Sequence, residues 1–164
     1  MSAPTLPNTP SVTSLGIGTL IGIGPVVGTP TPTYTTIGQI TDVKLSGASA
    51  TVIKFSTLDG GLGVQKRRGS IDYGTVDITY ERKPGAGDPG QAAAKAAFAD
   101  SLGNPYMFQA ALFTAAGQTT AGDMATFTGV ISKFNELSEF SPDKNIEGML
   151  TIELSGPVAI VAGS

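Results

Sequence analysis

Two segments of the chain alternate between mainly apolar and mainly polar positions. In residues 145–155 the inward positions are Ile146, Gly148, Leu150, Ile152 and Leu154. In residues 71–82 one side carries Asp72, Gly74, Val76, Ile78 and Tyr80, and the other carries Tyr73, Thr75, Asp77, Thr79 and Glu81. A period of two is typical of a β-strand with one buried face. Both segments are therefore predicted to be strands of a half-buried sheet.

Other segments have the length and composition of strands. Three of them are residues 19–23, 34–43 and 106–113. They combine apolar, β-branched or aromatic residues with flanking Gly or Pro, which is typical of short strands. The segment 124–137 has Phe127 and Ile131 at one parity and Val130 and Phe134 at the other. That pattern predicts a strand that is buried on both faces.

A single helix is predicted at residues 88–102. Asp88 is placed as its N-cap and Pro89 at its first position, and Gln91 follows three residues after the cap, as in a capping box. Gly103 supplies a residue that commonly ends helices. Six strands and one helix predict a mainly β fold, a β-sandwich or small barrel with one flanking α-helix.

Two segments lack a regular pattern. Residues 44–69 show no clear periodicity, and a connection of this length is usually functional or disordered. They are predicted to form a long extended loop. Residues 1–14 hold three prolines among small polar residues, which predicts a flexible arm or an arm that orders against a neighbouring subunit. Residues 15–164 are predicted to form one domain.

Charge is scarce and unevenly placed. Only 14% of the 164 residues are charged, against about 25% in ordinary domains, and none precedes Asp42.

The apolar run at residues 15–28 is too short and too rich in Gly to cross a bilayer, and no basic residue precedes it as in a secretory signal. The chain is expected to be soluble, made in the cytoplasm and not attached to a membrane. The neutral start is expected to be buried between subunits.

Composition also excludes several kinds of chemistry. The chain has no Cys and no His, which removes disulfides, thiolate metal sites and triads of the Ser-His-Asp type. No cofactor, no metal site and no catalytic residue is predicted, and an enzyme is not expected. A net charge of -3 gives no reason to expect a stable complex with nucleic acid.

The positive charge is concentrated at Lys66, Arg67 and Arg68, whereas residues 84–164 carry eight acids against three bases. The basic run is expected either to be solvated or to contact an acidic neighbouring subunit. Copies of the chain stacked head to tail would bring the unlike ends together.

The order of these parts resembles the tail tube, or major tail, proteins of bacteriophages with long non-contractile tails (siphophages). The matching features are the neutral arm, the Gly-Thr-Leu-Ile-Gly-Ile-Gly strand at 18–24, the segment 35–43, the long loop through Asp59, the helix capped by Asp88 and Pro89, and the final strands ending at Pro157. The resemblance covers nearly the whole chain.

The resemblance implies a structural virion protein without catalytic activity. Six subunits would close a ring, and stacked rings would form the tube through which DNA is ejected into the host. The implied partners are further copies of the chain, a tape measure protein and tail tip and terminator proteins, with only transient passage of DNA. The implied location is the virion tail, assembled in the host cytoplasm.

The resemblance also assigns roles to particular residues. The long loop implies contacts between rings at Asp59, Lys66, Arg67 and Arg68. The wall of the lumen is expected to be negative, and the candidates for it are Asp77, Glu81, Glu147 and Glu153.

Two other classes stay open. One is the ring-forming inner tube of a contractile injection or type VI secretion apparatus, which shares the fold implied by the resemblance. The other is an adhesive or carbohydrate-binding β-sandwich, although the chain has no Trp and only four Tyr.

Overall fold

The computed structural model describes residues 20–55, 64–83, 87–112, 122–139 and 145–163. Within them the chain is mainly β, with one helix. The elements are β1 (Leu20–Val26), β2 (Thr35–Ile37), β3 (Ile40–Leu45), β4 (Ser49–Phe55), β5 (Gln65–Asp72), β6 (Thr75–Glu81), α1 (Pro89–Phe98), β7 (Tyr106–Ala111), β8 (Met124–Glu139), β9 (Glu147–Leu154) and β10 (Ala159–Val161).

Eight of these strands form one antiparallel sheet. Its order is β2-β1-β7-β8-β9-β6-β3, and β10 pairs with the start of β8. The outermost strands of this order, β2 and β3, are joined by only Gly38 and Gln39. Such a short link requires the sheet to curve until its two edges lie close together. The predicted barrel-like fold is confirmed.

The concave side of the sheet holds the core. The largest fully buried side chains are Tyr80, Phe108, Ile21, Ile37, Ile78, Leu150, Ile152 and Val76. Val76 lies opposite Ile152, and Ile78 lies opposite Leu150. Residues directly opposite in an antiparallel pair share a face, so the alternation predicted for both strands is confirmed.

The helix begins as predicted and ends earlier. The Asp88 carboxylate accepts hydrogen bonds from the backbone N–H of Gly90 at 2.9 Å and of Gln91 at 3.1 Å. Pro89 is the first helical residue, and the C-cap is Ala99 rather than a residue near 102. Gly103 lies in a turn after the helix, where its N–H donates to the Asp100 carbonyl at 3.1 Å.

The prediction that β8 is buried on both faces is wrong. The register with β9 shifts between Ile131 and Lys133, which is the signature of a β-bulge. The extra residue shifts the alternation of the strand by one position, so that Ile131, opposite Ile152, and Phe134, opposite Leu150, both lie on the core side. The Phe134 ring lies 6.3 Å from the ring of Tyr80 and 6.2 Å from that of Phe98.

Two predicted strands are each divided. The segment 34–43 is interrupted at Gly38 and Gln39, where Gln39 has a φ of 60°. The segment 71–82 is interrupted at Gly74, which has a φ of +88° and packs so closely on the Ser46 carbonyl that a Cβ would overlap it. Gly74 thereby ends the β4–β5 pair and lets β6 enter the main sheet.

Residues 44–69 contain more regular structure than the predicted loop. They include the end of β3, all of β4 and the start of β5, and β4 pairs with β5 in an antiparallel ladder from Ser49–Asp72 to Phe55–Gln65. We call β4 and β5 together the ribbon. The extended segment is therefore a β-hairpin arm rather than an irregular connection.

Candidate assembly surfaces

The four acids predicted to line a lumen lie on one face of the main sheet. Thr75 of β6 is opposite Glu153 of β9, Asp77 is opposite Thr151, and Glu81 is opposite Glu147. These pairs alternate with the buried pairs of the core, so all four carboxylates project from the convex side of the sheet. We call this set, Asp77, Glu81, Glu147 and Glu153, the acidic face.

Local contacts hold two of these carboxylates in place. Thr151 Oγ1 donates a hydrogen bond to Asp77 Oδ1 at 2.6 Å, and Ser132 Oγ donates to Glu153 Oε1 at 3.3 Å. Lys44 of the neighbouring strand β3 lies opposite Asp77, and its Nζ forms an exposed ion pair with Asp42 at 3.3 Å.

Glu81 and Glu147 are the least favourable pair on the acidic face. They lie directly opposite each other, where like charges destabilise a sheet. The main sheet therefore keeps a negative surface at some cost in stability.

The predicted basic run lies on a strand of the ribbon. Lys66, Arg67 and Arg68 are exposed residues of β5. They lie opposite Lys54, Ile53 and Val52 of β4, respectively. Lys54 was not among the predicted contact residues, although it adds a fourth cation to the same element. Asp59 lies outside the described residues.

The ribbon has little support from the rest of the subunit. Among the described elements, β4 and β5 contact each other extensively, and neither contacts the main sheet or α1 to a comparable degree. Val52 is 58% exposed and Ile53 is 53% exposed. An isolated two-stranded hairpin is marginally stable in water, so the ribbon is expected to require another surface to cover it.

A groove of about 500 Å³ lies at the base of the ribbon. Its walls include Leu45, Ala50, Ile71, Leu154 and Val158, with Arg68 at one side. The lining of the groove is predominantly apolar.

The helix is attached to the link between β2 and β3. The Asp88 carboxylate accepts a hydrogen bond from the Gly38 N–H at 3.1 Å. Gln91 Nε2 donates to the carbonyl of Gly38 at 3.1 Å and to that of Glu81 at 2.9 Å. Gln91 therefore ties the helix to the link between β2 and β3 and to β6, instead of closing a capping box. Sequence reasoning missed this role, because nothing in the sequence places residue 38 beside residue 91.

Tyr80 and Asp100, which lie outside these surfaces, have shifted pKa values. Burial, with a smaller effect of Glu136, raises the pKa of Tyr80 to about 12. Hydrogen bonds from Leu102 N–H and the Asn104 side chain lower the pKa of the half-buried Asp100 carboxyl, and Tyr106 OH adds a third. These hydrogen bonds organise the turn after α1.

The described residues offer neither a metal site nor a helix that could span a membrane. No group of three or more acidic side chains is placed so that it could hold a metal ion. In the same part of the chain, no helix has the length and hydropathy needed to cross a membrane.

Comparisons with known proteins show similarity in structure without similarity in sequence. No known family profile matches the chain, and no curated protein matches its sequence. Among solved structures, one chain of the anti-feeding prophage (AFP) baseplate is 8% identical, with a TM-score of 0.60 over 99% of this chain and 98% of that one.

Two tube assemblies contain similar chains. One is a chain of the sheath-tube complex of PVC, an extracellular contractile injection system, in its extended state; it is 13% identical, with a TM-score of 0.62 over 92% of this chain and 94% of that one. The other is the SPP1 tail tube, which is 15% identical, with a TM-score of 0.58 over 92% of this chain and 79% of that one.

At these identities the comparisons establish the fold alone. The matches extend over nearly the full length of this chain and over most of each similar chain, so they include the sheet and the helix together. The expected resemblance is confirmed at this level: the chain has the fold found in proteins of phage tail tubes and of contractile injection systems.

Proposed function

We propose that this protein is a structural subunit that assembles into stacked hexameric rings and thereby forms the tail tube of a non-contractile phage. The observation that carries the proposal is the fold shared with the SPP1 tail tube over 92% of the chain. In this role the chain has no catalytic activity. Its location is the virion tail, and its assembly takes place in the host cytoplasm.

The surfaces of the isolated subunit agree with this role. Several large apolar side chains are exposed, among them Leu45, Val52, Ile53, Leu102 and Ile160. Repeated copies of the chain would cover such residues, since exposed apolar patches mark sites of association. The partners proposed beyond the chain itself are a tape measure protein and tail tip and terminator proteins.

In the assembled tube the acidic face is proposed to line the lumen. Carboxylates facing the channel would repel the phosphates of DNA and let it pass without binding. The proposed contact between rings is the segment 44–69, including Asp59, Lys66, Arg67 and Arg68, together with residues 1–14.

Electron microscopy of the purified protein tests the assembly. We expect six-fold rings or tubes at high protein concentration, with a central channel. Persistent monomers under all conditions that promote tube formation would contradict the proposed function. The variant lacking residues 1–14 is expected to fold but not to form long stacks.

A second candidate is the inner tube of a contractile injection or type VI secretion apparatus. It is favoured by the similarity to chains from the AFP baseplate and the PVC sheath-tube complex. The genes beside the coding sequence discriminate between the two. A sheath gene favours the injection apparatus, whereas a tape measure gene without a sheath gene favours the non-contractile phage tail.

A further inference from the structure

The two faces of the ribbon differ in their chemistry. Because residues directly opposite in the ladder share a face, the register assigns each side chain of its outer half to one side. One face, called the apolar face, carries Ile53, Phe55, Gln65 and Arg67. The opposite face, called the lysine face, carries Val52, Lys54, Lys66 and Arg68.

Contacts on the apolar face make it continuous. The guanidinium carbon of Arg67 lies 5.7 Å from the centroid of the Phe55 ring, within the range of a cation–π interaction. Ile53 lies opposite Arg67 and close to Gly69, where an added Cβ would overlap Thr51 Oγ1 and would be 3.3 Å from the Ile53 Cδ1 atom. Glycine at position 69 therefore leaves room for Thr51 and Ile53 to lie close to β5.

The composition of the two faces decides which one is suited to burial. Phe and Arg are enriched in the buried centres of protein interfaces, whereas Lys is depleted there. A guanidinium stacked on an aromatic ring is more weakly hydrated than an ammonium group and is easier to bury. The apolar face has the Phe–Arg pair and Ile53, while the lysine face has two ammonium groups that would lose their hydration.

Charge identifies a second copy of this chain as the partner. Four of the ten Lys and Arg and one of the thirteen Asp and Glu lie in the two strands of the ribbon. The rest of the chain keeps six cations against twelve acids. A positive ribbon is thus complementary to the remainder of another copy, and this attraction also brings the copies together faster.

We propose that the ribbon docks on a second copy of the chain through its apolar face, while the lysine face remains hydrated and contributes only long-range attraction. The proposal rests on the proposed function, and it refines the predicted basic contact. Arg67 is buried between the copies with Ile53 and Phe55. Lys66 and Arg68, its neighbours in sequence, stay at the surface of the assembly.

Two adjacent residues of β4 provide a matched test. Ile53 and Val52 are both β-branched and both more than half exposed, and they lie on opposite faces of the ribbon. Ile53→Asp is expected to lower the assembled fraction at least about tenfold, because it places a carboxylate in a buried apolar contact. Val52→Asp is expected to change that fraction less than about twofold. Sedimentation and electron microscopy at equal protein concentrations measure both.

A second pair of variants distinguishes a buried contact of the apolar face from the long-range charge attraction of the lysine face. Arg67→Ala is expected to reduce assembly at both low and high salt, because it removes a buried stacked side chain. Arg68→Ala is expected to slow assembly at low salt only, since a hydrated charge acts at long range and is screened. Circular dichroism and the melting temperature of the dilute subunit check that all four variants keep the fold.

The outcomes distinguish this inference from the proposed function. Equal effects of Ile53→Asp and Val52→Asp, or a larger effect of Val52→Asp, would overturn the inference while wild-type tubes still form. Failure of the wild-type chain to form rings or tubes would overturn the proposed function, and the inference with it.

Discussion

Tyr80 places an unfavourable polar group, its hydroxyl, in the core. Its side chain is 1% exposed, and its hydroxyl has no hydrogen-bond partner among the residues that the structure describes. Gly148 makes room for it, because a Cβ at that position would overlap the phenol ring. A buried polar group without a partner costs about 1–3 kcal/mol. Tyr80 is therefore a residue at which removal of one atom should improve stability.

The Tyr80→Phe variant tests this cost. We expect it to raise the free energy of unfolding at pH 7 by about 1 kcal/mol, because it removes the hydroxyl and keeps the ring packed on Phe134. Chemical denaturation of the dilute subunit measures the change. A loss of stability in Tyr80→Phe would show that the hydroxyl has a partner.

The same residue predicts instability at high pH. Burial raises the folded-state pKa of Tyr80 to about 12, against an ordinary value of 10.0. Between these values the unfolded chain has released the proton and the folded chain still holds it, so stability falls as the pH rises. The loss by pH 12 is on the order of 2 kcal/mol. The wild-type chain should therefore lose more stability than Tyr80→Phe between pH 10 and 12, and parallel pH profiles would contradict the assignment.

At the scale of elements, the amide of Gln91 is one of the polar groups that hold the helix to the sheet. Gln91 is 8% exposed, and it donates to the backbone carbonyls of Gly38, between β2 and β3, and of Glu81 in β6. Gln91→Ala should lower the free energy of unfolding by about 2–3 kcal/mol, because it leaves buried carbonyls without a donor. Lys95→Ala on the same helix is the control, since its ion pair with Glu136 is largely exposed and should contribute less than about 1 kcal/mol. Equal losses in the two denaturation curves would contradict the role given to Gln91.

The pairing of β6 with β9 contains a repulsion that can be removed. Glu81→Gln should raise the free energy of unfolding by about 0.5 kcal/mol and more at low salt, since Glu81 lies opposite Glu147. Glu136→Gln is the matched control: it breaks the ion pair with Lys95 and should lower stability slightly. Denaturation at two salt concentrations measures both changes. A stability of Glu81→Gln that equals the wild type at low salt would contradict the repulsion between Glu81 and Glu147.

Strict alternation explains why some elements could be predicted from the sequence. In β6 and β9 the parity alone assigned Asp77 and Glu153 to the face away from the core. The sequence could not show that these two strands are neighbours, because pairing depends on contacts between residues far apart in the chain, such as Asp77 and Thr151, which are 74 positions apart. The shared acidic face therefore became visible only in the fold.

Other elements were missed for identifiable physical reasons. In β8 a bulge near Ile131 changes the parity, and a strand with one bulge has the same pattern as a strand buried on both sides. The ribbon was missed because Lys66, Arg67, Arg68 and Gly69 give β5 no apolar alternation. In β4, however, Thr51, Val52 and Ile53 are β-branched, and that was a usable signal for a strand.

At the scale of the whole molecule, acidic and basic residues are concentrated on different elements. The acidic face lies on the main sheet, where Lys44 and Lys133 are also present, and the ribbon carries four cations. In a ring this arrangement would let one surface repel DNA while another attracts the next copy. The two surfaces are on different elements, so substitutions can change one without changing the other.

Charge reversal of the acidic face tests its position in the assembled tube. A variant with Glu81→Lys, Glu147→Lys and Glu153→Lys should still form tubes, because it leaves the ribbon intact, but its channel should attract phosphates. We expect these tubes, incubated with linear double-stranded DNA at low salt, to retain DNA that resists nuclease, and wild-type tubes to retain none. DNA bound to the outer wall would be digested, so protection distinguishes a lumen from an outer surface. Variant tubes that bind DNA only in nuclease-sensitive form would place the acidic face on the outside, because a cationic surface there leaves the bound duplex open to the enzyme.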